Sequence, residues 1–420
     1  MANNFDSNFS RKLSASLLKG FESERNLSKD VNTQLLDGKF NPDSGESTDF
    51  KRPTDYKTSR TATGDVSGET ASSIITGKAT GTVQDYITVF VDFNEADQAL
   101  KMGNIDDFMK PMARRIVTDL ELDFADYMMK NSGLLAGTVG TAASTWAHVA
   151  NAGATLQATG VPQGDWCYAV NPFTQIALAG DQRGLGGETG SMTANQQATI
   201  SNSYAGMKVK TATTLASYTT GTGADRAGTL SANPTVTYVA AKDSMTQTLT
   251  VAGFQANLVV AAGEKITIAG RNRLNLSTRR PVIDANGNEI LFSGTVVETV
   301  TLSGTGTGSL VVTGPAIYEA AGQYNTVDSA PVSGDVVTLG GAASTLIQPN
   351  LFFHKDAFAI GSVPMEKLYS TDTLATTSDG LQLRVSKGVG FLENSNKIRI
   401  DFRPAYATLN PFFAGHGFGS

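Results

Sequence analysis

The chain is short of the residues from which reactive sites are usually built. One cysteine, Cys167, stands among 420 residues, which excludes an internal disulfide framework and suits a reducing compartment. The three histidines, His148, His354 and His416, are far apart and have no cysteine or carboxylate at metal-ligand spacing, so no metal centre is expected. Charge is also scarce: Asp, Glu, Lys and Arg make up 17% of the chain, and 33 basic against 39 acidic residues leave a net charge of −6. A dedicated nucleic-acid binder needs clustered cations that release counterions, and this balance argues against one. No apolar run approaches the ~20 residues of a membrane span. The start, MANNFDSNFSRKLSASLLKG, has no continuous apolar core of the secretory kind. A soluble, non-secreted protein is expected.

Segments that begin like functional motifs fail on inspection. DANGNEILFSGT, residues 284–295, opens like a calcium loop but has Glu289 where glycine is needed and Thr295 where a bidentate Glu belongs. Its Asn286-Gly287 pair is instead a hairpin turn. GTGADRAG and GTGTGS lack the lysine of a phosphate loop and the spacing of a dinucleotide fingerprint. Cys167 lies between Trp166 and Tyr168 and reads as a small core residue. The most basic run, RNRLNLSTRRP, carries Arg271, Arg273, Arg279 and Arg280 without interleaved aromatics, and reads as a solvated or subunit-contacting loop. No catalytic residue, cofactor site or metal site emerges, and an enzyme is not expected.

What is present is structural. Gly accounts for 43 residues, in long stretches that look like strands and turns. Residues 8–25 offer a short amphipathic helix with Leu13, Leu17, Leu18 and Phe21 on one side. From Tyr86 to Phe93 the chain alternates as a strand. Before it, Thr58 to Gly81 holds almost no apolar side chains besides Val66, Ile74 and Ile75. Ordering a backbone costs ~1–2 kcal/mol per residue, so this stretch is either disordered or held down by another molecule. A long helix follows, from Ile105 to Asn131. Met112, Ile116, Leu120, Phe124 and Tyr127 recur at steps of three and four on one face. Pro111 belongs to its first turn or kinks it, and Gly133 suits a left-handed cap. A second helix is read over 147–159. A buried strand then leads into a third helix, with Asn171 as N-cap and Pro172 as first residue. From about Thr229 to Leu346 short alternating strands recur between Gly and Asn-Gly turns, the pattern of a small sandwich or barrel inserted into a mixed α+β chain.

In chain order, FKRPTDYKTSRTATGDVSG, IITGKATGTVQDYITV, RRIVTDLELDFADYMM, AVNPFTQIAL, AGMKVKTATTL, QPNLFFHKDAFAIGSVPM and IRIDFRPAYATLNP resemble the major capsid proteins of short-tailed phages. That resemblance implies an α+β Hong Kong 97 fold carrying an inserted telokin-like (immunoglobulin-like) domain. Residues 1–48 would be an N-terminal arm, 49–93 an extended E-loop with its returning strand, and 94–134 a peripheral domain with a spine helix. Residues 135–228 would begin an axial domain, 229–347 form the inserted β domain, and 348–420 complete the axial and peripheral domains. The E-loop would touch a neighbouring subunit through Lys51, Arg52, Lys57, Arg60, Val66, Ile74, Ile75 and Lys78, with the cations meeting carboxylates across the seam. Lys57 and Lys78 read as ordinary exposed lysines rather than isopeptide cross-linkers. The inserted domain would bridge capsomers through Arg271, Arg273, Arg279 and Arg280. The implied partners are copies of the chain in hexamers and pentamers of an icosahedral shell, a separate scaffolding protein, a portal ring and loosely contacted double-stranded DNA, with no membrane. The implied location is the virion, with assembly in the host cytoplasm. Other readings are a tail or decoration protein and an encapsulin-like compartment shell.

Overall fold

A computed structural model describes residues 15, 17–33, 47–94, 106–184, 196–198, 200, 203–320, 322–369, 372–390 and 395–420; Leu13 lies outside them. The chain divides into two units. One comprises residues 1–49, 80–125 and 358–407; the other comprises 50–79, 126–357 and 408–420.

The first unit is organised on the long helix α1, Asp106–Lys130. Its 25 residues span about 37 Å. Met109, Met112, Ile116, Leu120 and Phe124 are each at most 7% exposed, because the 3.6-residue period gathers them on one face. The Phe124 ring lies 5.0 Å from that of Tyr406 and 6.5 Å from that of Phe358. These rings come from strands Pro404–Thr408 and Phe358–Ser362, neighbours in a four-stranded sheet completed by Lys78–Val83 and Ser47–Lys51. Just off the stripe, Asp123 Oδ2 accepts from Tyr406 Oη at 2.9 Å. Pro111 lies inside the helix. A second four-stranded sheet runs Thr373–Thr376, Gln382–Gly390, Ser395–Phe402, Ile87–Asn94. Its last pair is antiparallel, from Phe402 opposite Ile87 to Ser395 opposite Asn94.

The second unit contains a six-stranded mixed sheet in the order Leu134–Ala136, Ala414–Gly417, Asn350–His354, Trp166–Val170, Met207–Thr211, Ser203–Tyr204. Helices α2 (Trp146–Thr159) and α3 (Pro172–Gly184) belong with it. Val149, Leu156, Tyr168, Leu178 and Phe352 are fully buried in its core. Asn171 Oδ1 accepts from the Thr174 N–H at 2.7 Å, so Asn171 and the following Pro172 start α3 as the sequence predicts. Cys167 is 3% exposed, and burial pushes its thiol up to about 11.

Of the two forms that the strand spacing allows, the β-rich stretch takes the closed one. Thr246–Ala252, Gly308–Thr313, Leu291–Val296, Lys265–Asn272, Val336–Leu339 and Ala227–Leu230 form a barrel in that order. Leu249, Val251, Ile266, Ile268, Phe292, Val296, Leu310 and Val337 alternate inward and fill it. Asn286-Gly287 is the expected turn: Gly287 has φ +85°, and Asp284 Oδ1 accepts from the N–H groups of Asn286 and Asn288, each at 2.8 Å.

One helix end differs from expectation. Gly133 is absent from the glycines with positive φ, so it is not a left-handed cap. Its N–H donates to Pro411 O at 2.8 Å, and a Cβ there would stand 2.9 Å from the same oxygen. Close backbone approach requires this glycine, not handedness.

Candidate subunit-contact surfaces

Within the first unit, α1 also anchors the chain's N-terminal segment. Leu17 and Phe21 are fully buried and Leu18 is half-buried. Phe21 packs on Phe402 at 5.5 Å between rings, and Arg25 pairs with Asp379 at 2.5 Å. Glu121, 2% exposed, accepts from the N–H groups of Asn26 (3.0 Å), Leu27 (2.8 Å) and Ser28 (3.2 Å), and from Ser28 Oγ. A carboxylate taken out of water is tolerated only with its lone pairs filled, and here backbone amides fill them. Sequence reasoning missed Glu121, because its partners lie over 90 residues away.

In the second unit the end of α1 meets two buried basic side chains. Lys265 is fully buried; its Nζ donates to Ser132 O at 2.7 Å and to Thr295 Oγ1 at 2.6 Å. Burial, and then the nearby Arg273, hold its pKa well below the ordinary lysine value. His416, also fully buried, places Nε2 2.8 Å from Met129 O. Burial first, then Lys265, lowers its pKa well below the ordinary histidine value, while the bond to Met129 opposes the shift. Carbonyls at a helix C-terminus lack intrahelical donors; His416 supplies one to Met129 O, and Lys265 does the same for Ser132 O just beyond the helix. Tyr127, half-buried, bonds Thr408 Oγ1 at 2.9 Å.

The excursion over residues 52–77 divides into a fixed root and an open tip. Arg52 was expected to reach a neighbour. Instead it is 8% exposed and its guanidinium donates to the carbonyls of Lys78, Thr408 and Leu409. Burial lowers its pKa to about 10. Ile75 likewise packs inside its own chain, against the cluster of Tyr238, Ile317, Tyr324 and Phe412. Lys51, Lys57, Arg60 and Lys78 are exposed, as are Val66 (58%) and Ile74 (76%).

The barrel arginines were expected on a bridging loop, and the structure turns most of them inward. Arg273 is 3% exposed, sits over the rings of Phe292 and Phe412, and donates to Ser293 O at 2.6 Å. Arg271 forms a two-pronged pair with Asp335, 2.7 Å at each prong. Arg279 pairs with Asp55. Arg280 alone of the four is exposed. A basic run read without tertiary partners looks solvated, and that is why the expectation failed here.

One apolar surface went unread in the sequence. Phe173 (82%) and Ile176 (56%) are exposed on α3. Their spacing of three on one helix face was the available signal. Among the described residues no group of three or more His, Cys, Asp or Glu is placed to hold a metal ion, and no helix is long and apolar enough to cross a membrane.

Comparison with known proteins gives the family. The family model "P22 coat protein - gene protein 5" matches residues 1–419. This chain belongs to the P22 coat protein family. The "Major capsid protein" of Acyrthosiphon pisum secondary endosymbiont phage 1 is 34% identical over 425 residues, with both chains covered completely. Solved structures that resemble it include one from Mycobacterium phage Che8 (12% identity, TM-score 0.48, 94% of this chain and 92% of that one). Another is the capsid of cyanophage P-SCSP1u (12% identity, TM-score 0.43, 95% and 88%). The chain is a phage major capsid protein, a structural subunit of mixed α+β fold that associates with copies of itself in the virion shell.

Proposed function

We propose that the chain is a Hong Kong 97-type tile. It forms hexamers and pentamers that close into an icosahedral shell around double-stranded DNA. It assembles in the host cytoplasm on a separate scaffolding protein, with a portal ring at one vertex, and the shell expands on maturation. In this reading residues 1–48 are the arm, 49–93 the E-loop, 94–134 the peripheral domain with α1 as spine, and 229–347 the inserted domain. The axial domain takes residues 135–228, and residues 348–420 complete the axial and peripheral domains.

The observation that carries the proposal is the open tip. From Tyr56 to Ile74 most side chains are exposed, including Tyr56, Val66 and Ile74. So little internal burial does not offset the entropy of ordering the segment, and a second copy of the chain supplies the missing contacts. Contacts of this head-to-tail kind close into rings when the rotation closes, and rings sharing edges make a shell. Co-expression with a candidate scaffolding protein followed by negative-stain microscopy tests the proposal. Closed particles of uniform diameter are expected; open tubes or subunits that never associate contradict it.

A further inference from the structure

We propose that the inserted barrel is the socket that aims the 53–76 excursion, gripping both of its limbs through Arg279, Gln323 and Tyr324. The inference rests on the shell-building reading above and assigns the barrel a task within its own chain. On the outgoing limb, Arg279 pairs with the Asp55 carboxylate, Gln323 Nε2 donates to Asp55 O at 2.5 Å, and the Asp55 N–H donates to Tyr324 Oη at 3.3 Å. On the returning limb, the same Gln323 Nε2 donates to Ser73 O at 2.8 Å and Tyr324 Oη donates to Ile75 O at 3.1 Å. Two side chains therefore hold both limbs at once. Gln323 and Tyr324 are each 6% exposed, so water competes little for these bonds.

The grip is itself rigid. Tyr324 stacks on Tyr238 with ring centroids 3.7 Å apart and 8° between planes. Arg279 Nη1 donates to Asn325 O at 2.7 Å. Asp243 Oδ1 accepts from the Lys78 N–H at 3.1 Å. Gly77 lies so close that a Cβ would come within 2.6 Å of Lys242 O. These groups come from the barrel connections before Thr246, after Asn272 and after Thr313, so three separate loops form the socket. Beyond it, bonds run limb to limb or within the tip: Lys57 N–H to Ser72 Oγ at 2.9 Å, and Glu69 N–H to Val66 O at 3.0 Å. A lever with its root clamped and a tip reaching ~25 Å magnifies a small movement of its socket. The barrel thus sets the angle at which the tip meets the next copy, and through that angle the curvature of the shell.

The test uses the full chain in a Cys167→Ala background, with spin labels at Lys57→Cys on the outgoing limb just past the clamp and Asn286→Cys on the barrel hairpin. Pulsed dipolar spectroscopy of the soluble subunit reads the label-to-label distance, and microscopy after co-assembly with scaffold reads particle diameter. The labelled parent should give one narrow distance distribution. Gln323→Ala and Arg279→Ala should each lose it, and their particles should vary in diameter or fail to close. Arg271→Ala, which breaks the Arg271–Asp335 pair inside the barrel without touching the excursion, should keep both readouts of the parent. Asp55→Ala removes the carboxylate that Arg279 grips from the excursion side and leaves the barrel sequence intact, so a folding defect of the barrel variants does not decide the matter. An unchanged narrow distance in Gln323→Ala and Asp55→Ala overturns the proposal, as does a parent whose distance is already broad. A parent that never assembles contradicts the shell-building reading instead, while the distances in the soluble subunit still judge the socket.

Discussion

The spine helix and the excursion treat their apolar side chains in opposite ways. On α1, Ile116, Leu120 and Phe124 are fully buried within the chain. On the excursion, Val66 and Ile74 are 58% and 76% exposed, whereas Ile75 packs inward. The helix satisfies its backbone locally and needs only a surface to lie against. The excursion has neither a helix's internal bonds nor enough burial of its own. The first region can fold with the subunit; in the proposed reading the second is completed by association.

The contrast breaks most visibly on the helix. Leu120→Ala should destabilise the isolated subunit by about 2–5 kcal/mol through lost burial and a cavity, measured by denaturant unfolding, and Leu120→Asp should prevent folding. Glu121→Ala should cost about 3 kcal/mol, because it leaves the buried N–H groups of Leu27 and Ser28 without an acceptor. A loss under ~0.5 kcal/mol would mean that the N-terminal segment is not held by α1.

Acid should act at the end of the same helix. The His416 imidazole has a folded pKa well below its ordinary value, so the unfolded chain takes up a proton that the native chain refuses. Subunit stability is therefore complete above the ordinary histidine value of 6.5 and falls as pH drops below it. The slope from this group is at most about 1.4 kcal/mol per pH unit. His416→Gln should flatten that part of the profile; the basic group that acts on His416 is Lys265, which in turn faces Arg273. The smallest stability effect belongs to the tip. Val66→Ser with Ile74→Ser should change subunit unfolding by less than ~0.5 kcal/mol, while sharply lowering the yield of shells in sedimentation.

What could be read from the chain alone follows from how far each signal reaches. The stripe on α1, the Asn171-Pro172 helix start and the Asn286-Gly287 turn depend on neighbours within one or two turns, and all three stand as read. The strands of the barrel were legible from alternation, although their closure into a ring was not. The buried charges were illegible. Arg52, Arg273, Lys265 and Glu121 find their partners across long sequence separations, and a charged side chain with no visible partner reads as solvated. The intrachain partners of Arg52 and Ile75 were illegible for the same reason, since the groups that engage them lie far along the same chain.

Hydrogen exchange on the soluble subunit and on closed shells, compared segment by segment, tests the central contrast most directly. Residues 112–128 should be protected equally in both, and residues 58–74 should be protected only in shells. Equal protection of residues 58–74 in the free subunit and in the shell would contradict the account.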